Sequence, residues 1–452
     1  MTLPSDFTQR TQAILGDEFD RLTEALQTEP PVSIRINQAK GSVKPNDGES
    51  VKWCDSGYYL PSRPSFITDP RLHGGAYYVQ EASSMFLDHV IRQLVHDPVK
   101  CLDLCAAPGG KSTLLTDALP KGSLLVSNEV IRQRSHILAE NLAKWGAPDV
   151  IVTSNDPVEI GSFKHLFDVI VTDVPCSGEG MFRKDSSSIN EWSVDNVKLC
   201  AARSKRIVQD VWNALHPGGL LIYSTCTYNT EEDEENIHWI NETLGAESVR
   251  VDIPEDWQIT GALKYDDPVY RFLPHKTRGE GFFLAVVRKA NDEVETIRPK
   301  KEKKQKQTSP LPDSVNKMAE VFSNTYPCKP ILYGNSIYLQ SPVLFETAKM
   351  LGQSLAILNA GILVGELKGN DLVPATELAL SRILPEKLFP IVELDYDTAI
   401  QYLRKEAITL PEGQSRGYVI VSYQSIRLGF VKNIGNRANN LYPQEWRIRK
   451  QL

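Results

Sequence analysis

Between residues 99 and 289, short apolar runs typical of buried strands alternate with segments that have the apolar spacing of helices. The longest predicted helices cover residues 132–145, followed by Gly146, and residues 194–215, followed by a His-Pro-Gly-Gly turn. Strands that alternate with helices form a parallel, doubly wound sheet. The sequence therefore predicts an α/β domain over residues 76–289. Its strand-like runs occupy residues 99–104, 123–127, 149–153, 167–172, 219–223 and 281–288.

Further modules are predicted on both sides of this domain, since 452 residues exceed what one hydrophobic core usually serves. Residues 1–75 combine helical spacing over 7–26 with a strand-like alternation over 32–37, which predicts a small N-terminal α+β module. Residues 290–314 contain the basic run 298–306 and are too charged to bury a core, so they predict a linker. A C-terminal α+β module over residues 315–452 is predicted from alternating runs at 331–333, 336–340, 362–364, 418–423 and 428–432.

The bulk composition is globular, with a net charge of −7 that argues weakly against nonspecific coating of nucleic acid. The acidic run 231–235 contributes to that charge, so a basic cleft can coexist with it. The seven cysteines form no Cys-x-x-Cys pair, so we expect reduced thiols and no metal site. No apolar run is long enough to span a bilayer, and no secretory signal is recognisable. We expect a cytoplasmic monomer without a membrane or metal partner.

A loop with two glycines follows the first predicted strand. In an open parallel sheet, ligands bind at the carboxyl ends of the strands. Glycines let the backbone approach a ligand, and the start of a helix supplies free N–H groups. Gly110-Lys111-Ser112 matches the end of a nucleotide-binding P-loop, but Cys105 occupies the position of the first glycine of that motif. A tight turn is the alternative to a cofactor loop made of Cys105, Ala106, Ala107, Pro108, Gly109, Gly110 and Lys111.

Acidic residues follow the next three predicted strands. Glu129 lies about twenty residues past the loop, where an acid usually binds the ribose hydroxyls of a cofactor. Asp156 follows the third strand and Asp173 ends the fourth. Any one acid at a strand edge is more often a turn residue or a helix cap. Polar residues at the ends of four successive strands nevertheless indicate one ligand site.

Two cysteines, Cys176 and Cys226, follow the fourth and fifth predicted strands in polar loops. A lone cysteine in an α/β domain is usually a small buried apolar residue. A reactive thiolate needs a lowered pKa from nearby cations or helix N-termini, and Arg183 and Lys184 are candidate cations. Cys105 is expected to pack within its turn. The remaining cysteines are assigned to packing: Cys54, Cys101, Cys200 and Cys328.

Two thiols at one sheet edge suit the methylation of carbon 5 of cytosine. That carbon is a poor nucleophile until a thiolate adds to the neighbouring carbon 6. A second group can then assist release of the enzyme. The residues alone do not identify which of Cys176 and Cys226 attacks.

These motifs resemble those of the Fmu/Sun-type RNA cytosine-C5 methyltransferases, and the resemblance covers most of the chain. The tail over residues 428–432 and 440–443 is similar to that of a bacterial ribosomal-RNA branch with a PUA-like domain. The resemblance implies a Rossmann-like methyltransferase sheet between a small N-terminal α+β module and a C-terminal PUA-like α+β module. The similar segments are residues 35–37, 78–84, 105–111, 173–178, 224–227, 271–275 and 279–283.

The resemblance also implies roles for single residues. Cys226 would be the nucleophile, Cys176 would assist release of the product, and Asp173 would contact the base near ring nitrogen 3. The cofactor would be S-adenosylmethionine, with Lys111 near its methionyl carboxylate. The cofactor would be held by the loop 105–111, Glu129, Arg134, Asp156 and Asp173.

RNA, most specifically 16S ribosomal RNA or the subunit that contains it, is the partner that the resemblance implies. A cytosine within a base stack hides carbon 6, so it must be single-stranded or flipped out. Basic and aromatic side chains of the flanking modules are candidate RNA contacts, with a solvated face and core aromatics as the alternative. In the tail these are Arg437, Tyr442, Trp446, Arg447, Arg449 and Lys450.

Four other functions stay open at this point. The substrate could be transfer RNA, or the chain could bind RNA without catalysis, against which both cysteines argue. A P-loop hydrolase lacks support because the first glycine of its motif is missing. A DNA cytosine methyltransferase has its nucleophile after a proline in the fourth-strand loop, a position that Cys176 could mimic. The second thiol and the flanking modules favour RNA.

Overall fold

The N-terminal module consists of short helices and a four-stranded sheet of order β2-β3-β1-β4. In this computed structural model the described residues are 2–41, 44–291, 311–369 and 371–449. The predicted helix over 7–26 is two helices that separate at Gly16, and the predicted strand over 32–37 is confirmed. The elements are α1 (Ser5–Leu15), α2 (Phe19–Leu26), β1 (Val32–Ile36), β2 (Glu49–Val51), β3 (Cys54–Leu60), α3 (Pro70–His73) and β4 (Tyr77–Val79).

The last strand of this module extends beyond the predicted boundary at residue 75. β4 pairs antiparallel with β1, with Ile34 opposite Val79. The N-terminal sheet therefore continues to residue 79. The helices α1 and α2 pack through Phe7, Leu22 and Leu26 against residues that follow the two cysteine loops, including Phe182.

The central domain alternates strands and helices as the sequence predicts. Each predicted strand is present, and the predicted helix over 132–145 has the predicted bounds. The helix predicted over 194–215 ends at Val211, because a short 3-10 turn and then a strand follow it. The elements are α4 (Phe86–Leu94), β5 (Lys100–Asp103), α5 (Gly110–Ala118), β6 (Leu124–Asn128), α6 (Arg132–Trp145), β7 (Val150–Thr153), α7 (Pro157–Gly161), β8 (Phe167–Asp173), α8 (Ser186–Glu191), α9 (Val194–Val211), β9 (Leu215–Thr225), α10 (Glu234–Leu244), β10 (Ala246–Ser248), β11 (Val269–Phe272) and β12 (Phe282–Lys289).

The central strands form one sheet with a parallel middle. The parallel neighbours run in the order β9-β8-β5-β6-β7, and β12 adds antiparallel to β9. The strand order reverses between β5 and β8, so the loops that follow these two strands diverge and leave a crevice at their carboxyl ends. Two hydrophobic clusters pack on opposite faces of the sheet. This arrangement confirms the predicted Rossmann-like class.

The C-terminal region contains two further four-stranded sheets, of order β13-β14-β16-β17 and β18-β19-β20-β21. Ile420 and Phe430 of the second sheet pack with Ile337 and Leu339 of the first, so the two sheets share a core. The elements are α11 (Asp313–Ser323), β13 (Lys329–Tyr333), β14 (Ser336–Gln340), α12 (Pro342–Leu351), β15 (Ile357–Ala360), β16 (Ile362–Lys368), β17 (Asp371–Pro374), α13 (Thr376–Leu380), β18 (Ile391–Glu393), α14 (Tyr396–Leu403), β19 (Gly417–Tyr423), β20 (Ile426–Asn433) and β21 (Ala438–Asn440).

One strand of the C-terminal region belongs to the central sheet. β15 pairs antiparallel with β7, with Ile357 opposite Thr153. Leu344 and Leu351 of α12 lie in the hydrophobic cluster on one face of the same sheet. The predicted C-terminal module, which begins at residue 315, therefore contributes one strand to the sheet of the central domain.

The tail aromatics are core residues. Tyr442 and Trp446 are buried among the side chains of the second C-terminal sheet, so they are corrected from candidate RNA contacts to packing residues. Arg437 and Arg449 are exposed, and Lys450 lies outside the described residues. Most of the predicted linker, residues 292–310, also lies outside them. Of the helices in the described ranges, none has the length and apolar character needed to cross a membrane.

Candidate active site

The predicted cofactor loop lies between β5 and α5, at the carboxyl edge of the central sheet. Gly109 has φ +115°, a conformation that side chains with a Cβ rarely adopt, and α5 begins at the next residue. The Arg134 guanidinium donates to the carbonyl of Ala107 at 2.9 Å, and the Ala106 N–H donates to the carbonyl of Asn128 at 2.9 Å. Contacts to β6 and α6 therefore hold the loop against the sheet edge. Burial raises the pKa of Cys105 to about 12, in keeping with a packing role.

Lys111 connects the cofactor loop to the fourth parallel strand. Its ammonium lies 2.7 Å from Oδ2 of Asp173, and the Ser224 hydroxyl donates to Oδ1 of the same carboxylate at 2.8 Å. Asp173 and Ser224 are register partners in β8 and β9. The nearby carboxylate raises the pKa of Lys111 despite its burial. This arrangement fixes Asp173 between the loop and the strand that leads to Cys226.

Glu129 and Arg134 form a pair beside the loop. The Arg134 guanidinium lies 3.6 Å from Oε2 of Glu129, and Oε1 accepts a hydrogen bond from the Ile131 N–H at 3.0 Å. Glu129 follows β6 directly and is only 3% exposed. The predicted cofactor acid therefore lies next to the loop, together with the arginine predicted to join it.

Asp156 lies one strand further along the edge and caps a helix. Its carboxylate accepts from the Val158 N–H at 3.1 Å, and the Glu159 carboxylate accepts from the Asp156 N–H at 2.9 Å. This reciprocal pair is a capping box at the start of α7. Both the cap and the predicted cofactor contact are compatible with its position after β7, so its binding role stays a prediction.

The two thiols meet at the ends of neighbouring parallel strands. The Sγ atoms of Cys176 and Cys226 are 3.0 Å apart, and the Cys226 N–H donates to the Cys176 sulfur at 3.3 Å. The contact with Cys226 raises the pKa of the Cys176 thiol, and burial raises it further. Cys176 therefore retains its proton at neutral pH. Both cysteines are free thiols, as are the five assigned to other positions.

The candidate cations Arg183 and Lys184 both pair with Glu280. Arg183 binds Glu280 at 3.1 Å and donates to the carbonyls of Gly279 and Ala25. Lys184 lies 3.9 Å from the same Glu280 carboxylate. Their role beside the thiols stays a prediction, and the chain after Cys176 passes through a 3-10 helix at Glu179–Met181 before it reaches them. Lys111 is a cation that interacts electrostatically with Cys226.

Two buried carboxylates, neither of them singled out by the sequence, lie beneath the thiols. Oε2 of Glu179 accepts from the Thr227 hydroxyl at 2.5 Å, the Tyr228 N–H at 2.8 Å and the Asn229 N–H at 3.0 Å. Its Oε1 accepts from the Trp192 indole at 3.0 Å. Glu179 belongs to the loop of Cys176, and most of these donors belong to the loop of Cys226.

The second carboxylate makes the reverse connection. Glu232 follows Cys226 in the chain, and its Oε2 accepts from the Ser177 N–H, next to Cys176, at 2.8 Å. The Asn229 amide donates to Glu232 at 2.8 Å and to Glu179 at 3.1 Å, which joins the two acids. Burial raises the pKa of Glu232 to about 7.

The next two acids of the run, Asp233 and Glu234, are also buried. Arg271, fully buried, lies 3.0 Å from Asp233 and forms a second ion pair with Glu234. The Thr225 hydroxyl, next to Cys226, donates to Asp233 at 2.5 Å. Residues 232–234 are therefore buried and support the site. The sequence does not indicate that these acids are buried, since a run of acidic residues is usually exposed to solvent.

No group of three or more histidine, cysteine or acidic side chains in the described parts of the chain is placed to hold a metal ion. The site contains a loop, carboxylates at three strand ends, one ammonium and two thiols. With the parallel sheet, this arrangement defines the class: a methyltransferase of Rossmann-like fold.

Comparison with known proteins assigns the family. Residues 93–288 match the 16S rRNA methyltransferase RsmB/F family. Residues 3–82 match the N-terminal domain of 16S rRNA methyltransferase RsmF, and residues 389–448 match the methyltransferase RsmF PUA domain. The chain belongs to this family of RsmB/F methyltransferases. The predicted family is thereby confirmed, as is the prediction that the chain is a methyltransferase with a PUA-like domain.

Relatives match along most of the chain. The ribosomal RNA small subunit methyltransferase F of Vibrio atlanticus (strain LGP32) is 27% identical over 471 residues, covering 98% of this chain and 97% of that protein. The protein of the same name from Shewanella amazonensis is 29% identical over 420 residues, covering 88% of this chain and 85% of that protein.

Solved structures share the fold. A methyltransferase homolog protein from Pyrococcus horikoshii is 26% identical with a TM-score of 0.54, covering 63% of this chain and 95% of that chain. NSun6 from Pyrococcus horikoshii, solved with SFG, is 18% identical with a TM-score of 0.53, covering 64% of this chain and 99% of that chain. The second of these likenesses is one of fold alone.

Proposed function

We propose that this chain methylates carbon 5 of a cytosine in 16S ribosomal RNA through a covalent bond between Cys226 and the base. The observation that carries the proposal is the 3.0 Å separation of the Cys176 and Cys226 sulfur atoms at one strand edge. The choice of 16S rRNA is supported by the small subunit methyltransferase F relatives, which match almost the whole chain.

S-adenosylmethionine is the proposed methyl donor, and its sulfonium group would supply an activated methyl. The residues at the sheet edge fit such a cofactor, because an ammonium and carboxylates on neighbouring strands complement its charged and hydroxyl groups. Lys111 would bind the methionyl carboxylate and Glu129 the ribose hydroxyls. Arg134 would keep Glu129 and the loop together, since it contacts both. Asp156 would add a further acceptor.

The attacking thiolate is Cys226 in this proposal. Cys176 retains its proton because the contact with Cys226 raises its pKa, so its S–H can donate to the Cys226 sulfur. When the Cys226 sulfur bonds to carbon 6, electrons of the carbon 5–carbon 6 double bond move toward ring nitrogen 3. Asp173, fixed by Lys111 and Ser224, would contact that nitrogen.

Release reverses the addition. After carbon 5 has taken the methyl group, a base removes the proton from carbon 5. Those electrons re-form the ring double bond, and the pair of the sulfur–carbon bond returns to Cys226. The Cys176 thiol, 3.0 Å away, would stabilise the departing thiolate by hydrogen bonding. Release, unlike attack, then requires the two sulfur atoms to be held together.

The test uses three variants of the full chain with S-adenosylmethionine and 16S rRNA. Cys226→Ala cannot form the adduct, so we expect no methylation and no protein–RNA band in denaturing electrophoresis. Cys176→Ala still attacks but releases slowly, so we expect a stable adduct that disappears in the double variant. Cys328→Ala, a buried cysteine in the C-terminal region, is the control and should behave like the wild type.

An adduct that accumulates in Cys226→Ala would reverse the two roles. Methylation by both single variants without any adduct would refute the covalent mechanism. Bisulfite sequencing of the product RNA reports whether carbon 5 of a cytosine is the target. Transfer RNA in a parallel reaction tests the substrate, since preferential methylation of transfer RNA would contradict the choice of 16S rRNA.

A further inference from the structure

The two buried carboxylates below the thiols connect the cysteine loops in both directions. We infer that Glu179 is the positioning residue for Cys226 and Glu232 the positioning residue for Cys176, and that this carboxylate clasp separates control of attack from control of release. The term carboxylate clasp denotes Glu179, Glu232 and the Asn229 side chain that binds both. The inference rests on the proposed covalent function, because it assigns each acid to one of its two steps.

The first half of the clasp, Glu179, acts on the loop of Cys226, which we call the nucleophile loop. Glu179 lies three residues after Cys176 in the chain, yet it accepts hydrogen bonds from Thr227, Tyr228 and Asn229. These are the three residues that follow Cys226. Loss of the Glu179 carboxylate would leave two backbone N–H groups without their acceptor and free the nucleophile loop to shift.

The second half of the clasp, Glu232, acts on the loop of Cys176, which we call the release loop. Glu232 lies six residues after Cys226, and it accepts from the N–H of Ser177, the residue directly after Cys176. Its own N–H donates to Oδ1 of Asn229 at 2.9 Å, so the acid is fixed at both ends. Loss of this carboxylate would free the backbone next to Cys176 and leave the Glu179 contacts to the other loop.

The close approach of the loops explains why such contacts set sulfur positions. The Gly180 N–H donates to the carbonyl of Cys226 at 2.8 Å, and a Cβ on Gly180 would lie 3.0 Å from the same carbonyl oxygen. Glu179 is 2% exposed and Glu232 is fully buried. Water therefore does not replace the lost acceptors readily, and the loops must move to satisfy their N–H groups.

The experiment separates the two steps by measuring adduct formation and adduct release. Formation is followed in the Cys176→Ala background, in which adduct accumulates. There, Glu179→Ala should slow formation by about 10- to 100-fold, the usual effect of misplacing a reacting group by about 1 Å. Glu232→Ala in the same background should leave formation within about threefold, because it acts on the loop of the cysteine already removed.

Release is followed with both cysteines present. Glu232→Ala should accumulate adduct during turnover, as Cys176→Ala does, while Glu179→Ala should not. S-adenosylmethionine affinity should be unchanged in both variants, since neither acid lies at the cofactor loop. Glu242→Ala, an exposed acid on α10, is the control and should alter neither step.

Conservative variants guard against loss of folding. Glu179→Gln and Glu232→Gln keep one acceptor oxygen each. Each should therefore slow the same step as the corresponding alanine variant, but by a smaller factor. Equal slowing of both steps by both acids, or no defect in either, would overturn the inference. If Cys176→Ala itself forms no adduct, the proposed covalent function fails instead, so the two failures are distinguishable.

Discussion

Asp103 is a buried carboxyl group at the end of β5, two residues before the cofactor loop. The Ser112 hydroxyl donates to its Oδ2 at 2.6 Å, while Oδ1 is buried without a hydrogen-bond partner among the described groups. Burial raises its pKa to about 7. A carboxyl group whose pKa is higher in the folded state stabilises the fold at low pH, and this contribution is lost as pH rises through the folded pKa.

We predict that Asp103→Asn makes unfolding less sensitive to pH between about 4 and 7, the interval between the unfolded pKa and that of the folded group. The amide keeps an acceptor for Ser112 but carries no charge. From pH 5 to pH 8, the free energy of unfolding of the variant should rise relative to that of the wild type by on the order of a few kcal/mol. Urea unfolding at both pH values measures this difference, and an equal difference at both would contradict it. Glu232 titrates near the same pH, so only the comparison with the wild type isolates Asp103.

Asp156 presents a choice between a helix cap and a cofactor ligand that one substitution can resolve. Serine is also a good N-cap residue, so Asp156→Ser should keep α7 intact while removing the carboxylate. If the carboxylate binds the cofactor, the Kd for S-adenosylmethionine should rise about 10-fold or more, as expected for loss of a charged hydrogen bond. Calorimetry measures this, with Glu129→Ala as the reference variant. An unchanged Kd in Asp156→Ser would restrict Asp156 to capping.

At the scale of elements, α5 joins three parts of the molecule through Asp117. Its carboxylate lies 2.9 Å from Arg35 of β1 and 2.7 Å from Arg382, which follows α13. The Arg35 side chain is 1% exposed, and it also binds Gln80 and Thr113 and lies over the Trp145 ring. The helix that begins at the cofactor loop is therefore fixed by both flanking modules.

Asp117→Ala is predicted to cost roughly 3–5 kcal/mol of folding free energy, because it leaves a buried guanidinium without its counterion. The matched control is Asp256→Ala. Asp256 pairs with Lys52 at 2.8 Å, but both side chains are more than half exposed, so its loss should cost under about 1 kcal/mol. Chemical denaturation measures both variants. Similar losses in the two would show that the Asp117 pairs contribute no more than a surface pair.

The elements themselves were predictable where local spacing determines them. The helix Arg132–Trp145 and the strand Phe167–Asp173 follow from patterns within a few residues. The edge positions of Lys111 and Asp173 followed from the same patterns, since parallel strands end together. The burial of Glu232 did not, because it depends on contacts with Ser177 from another loop. The spacing of residues within one segment does not show which distant segments will contact each other in the fold.

At the scale of the whole molecule, contacts between segments far apart in sequence could not be predicted either. β15 pairs with β7 across roughly two hundred residues of sequence, and nothing in its short apolar run marks it as part of the central sheet. Leu344 and Leu351 of α12 pack on the same sheet face as Val211 of α9. The C-terminal region therefore completes the catalytic core in addition to carrying the PUA-like sheet. A chain cut after the predicted linker would lose this cover and expose apolar side chains.

Leu344→Ala tests this dependence without truncation. Leu344 is fully buried, so its truncation should cost roughly 2–5 kcal/mol. Because the lost contacts lie on the central sheet, hydrogen exchange should become faster in peptides from β6 and β7, far from residue 344 in sequence. Leu199→Ala is the control: Leu199 is 63% exposed on α9, and its loss should change stability by under about 0.5 kcal/mol. Faster exchange confined to the C-terminal sheets would mean that this region folds independently of the methyltransferase domain.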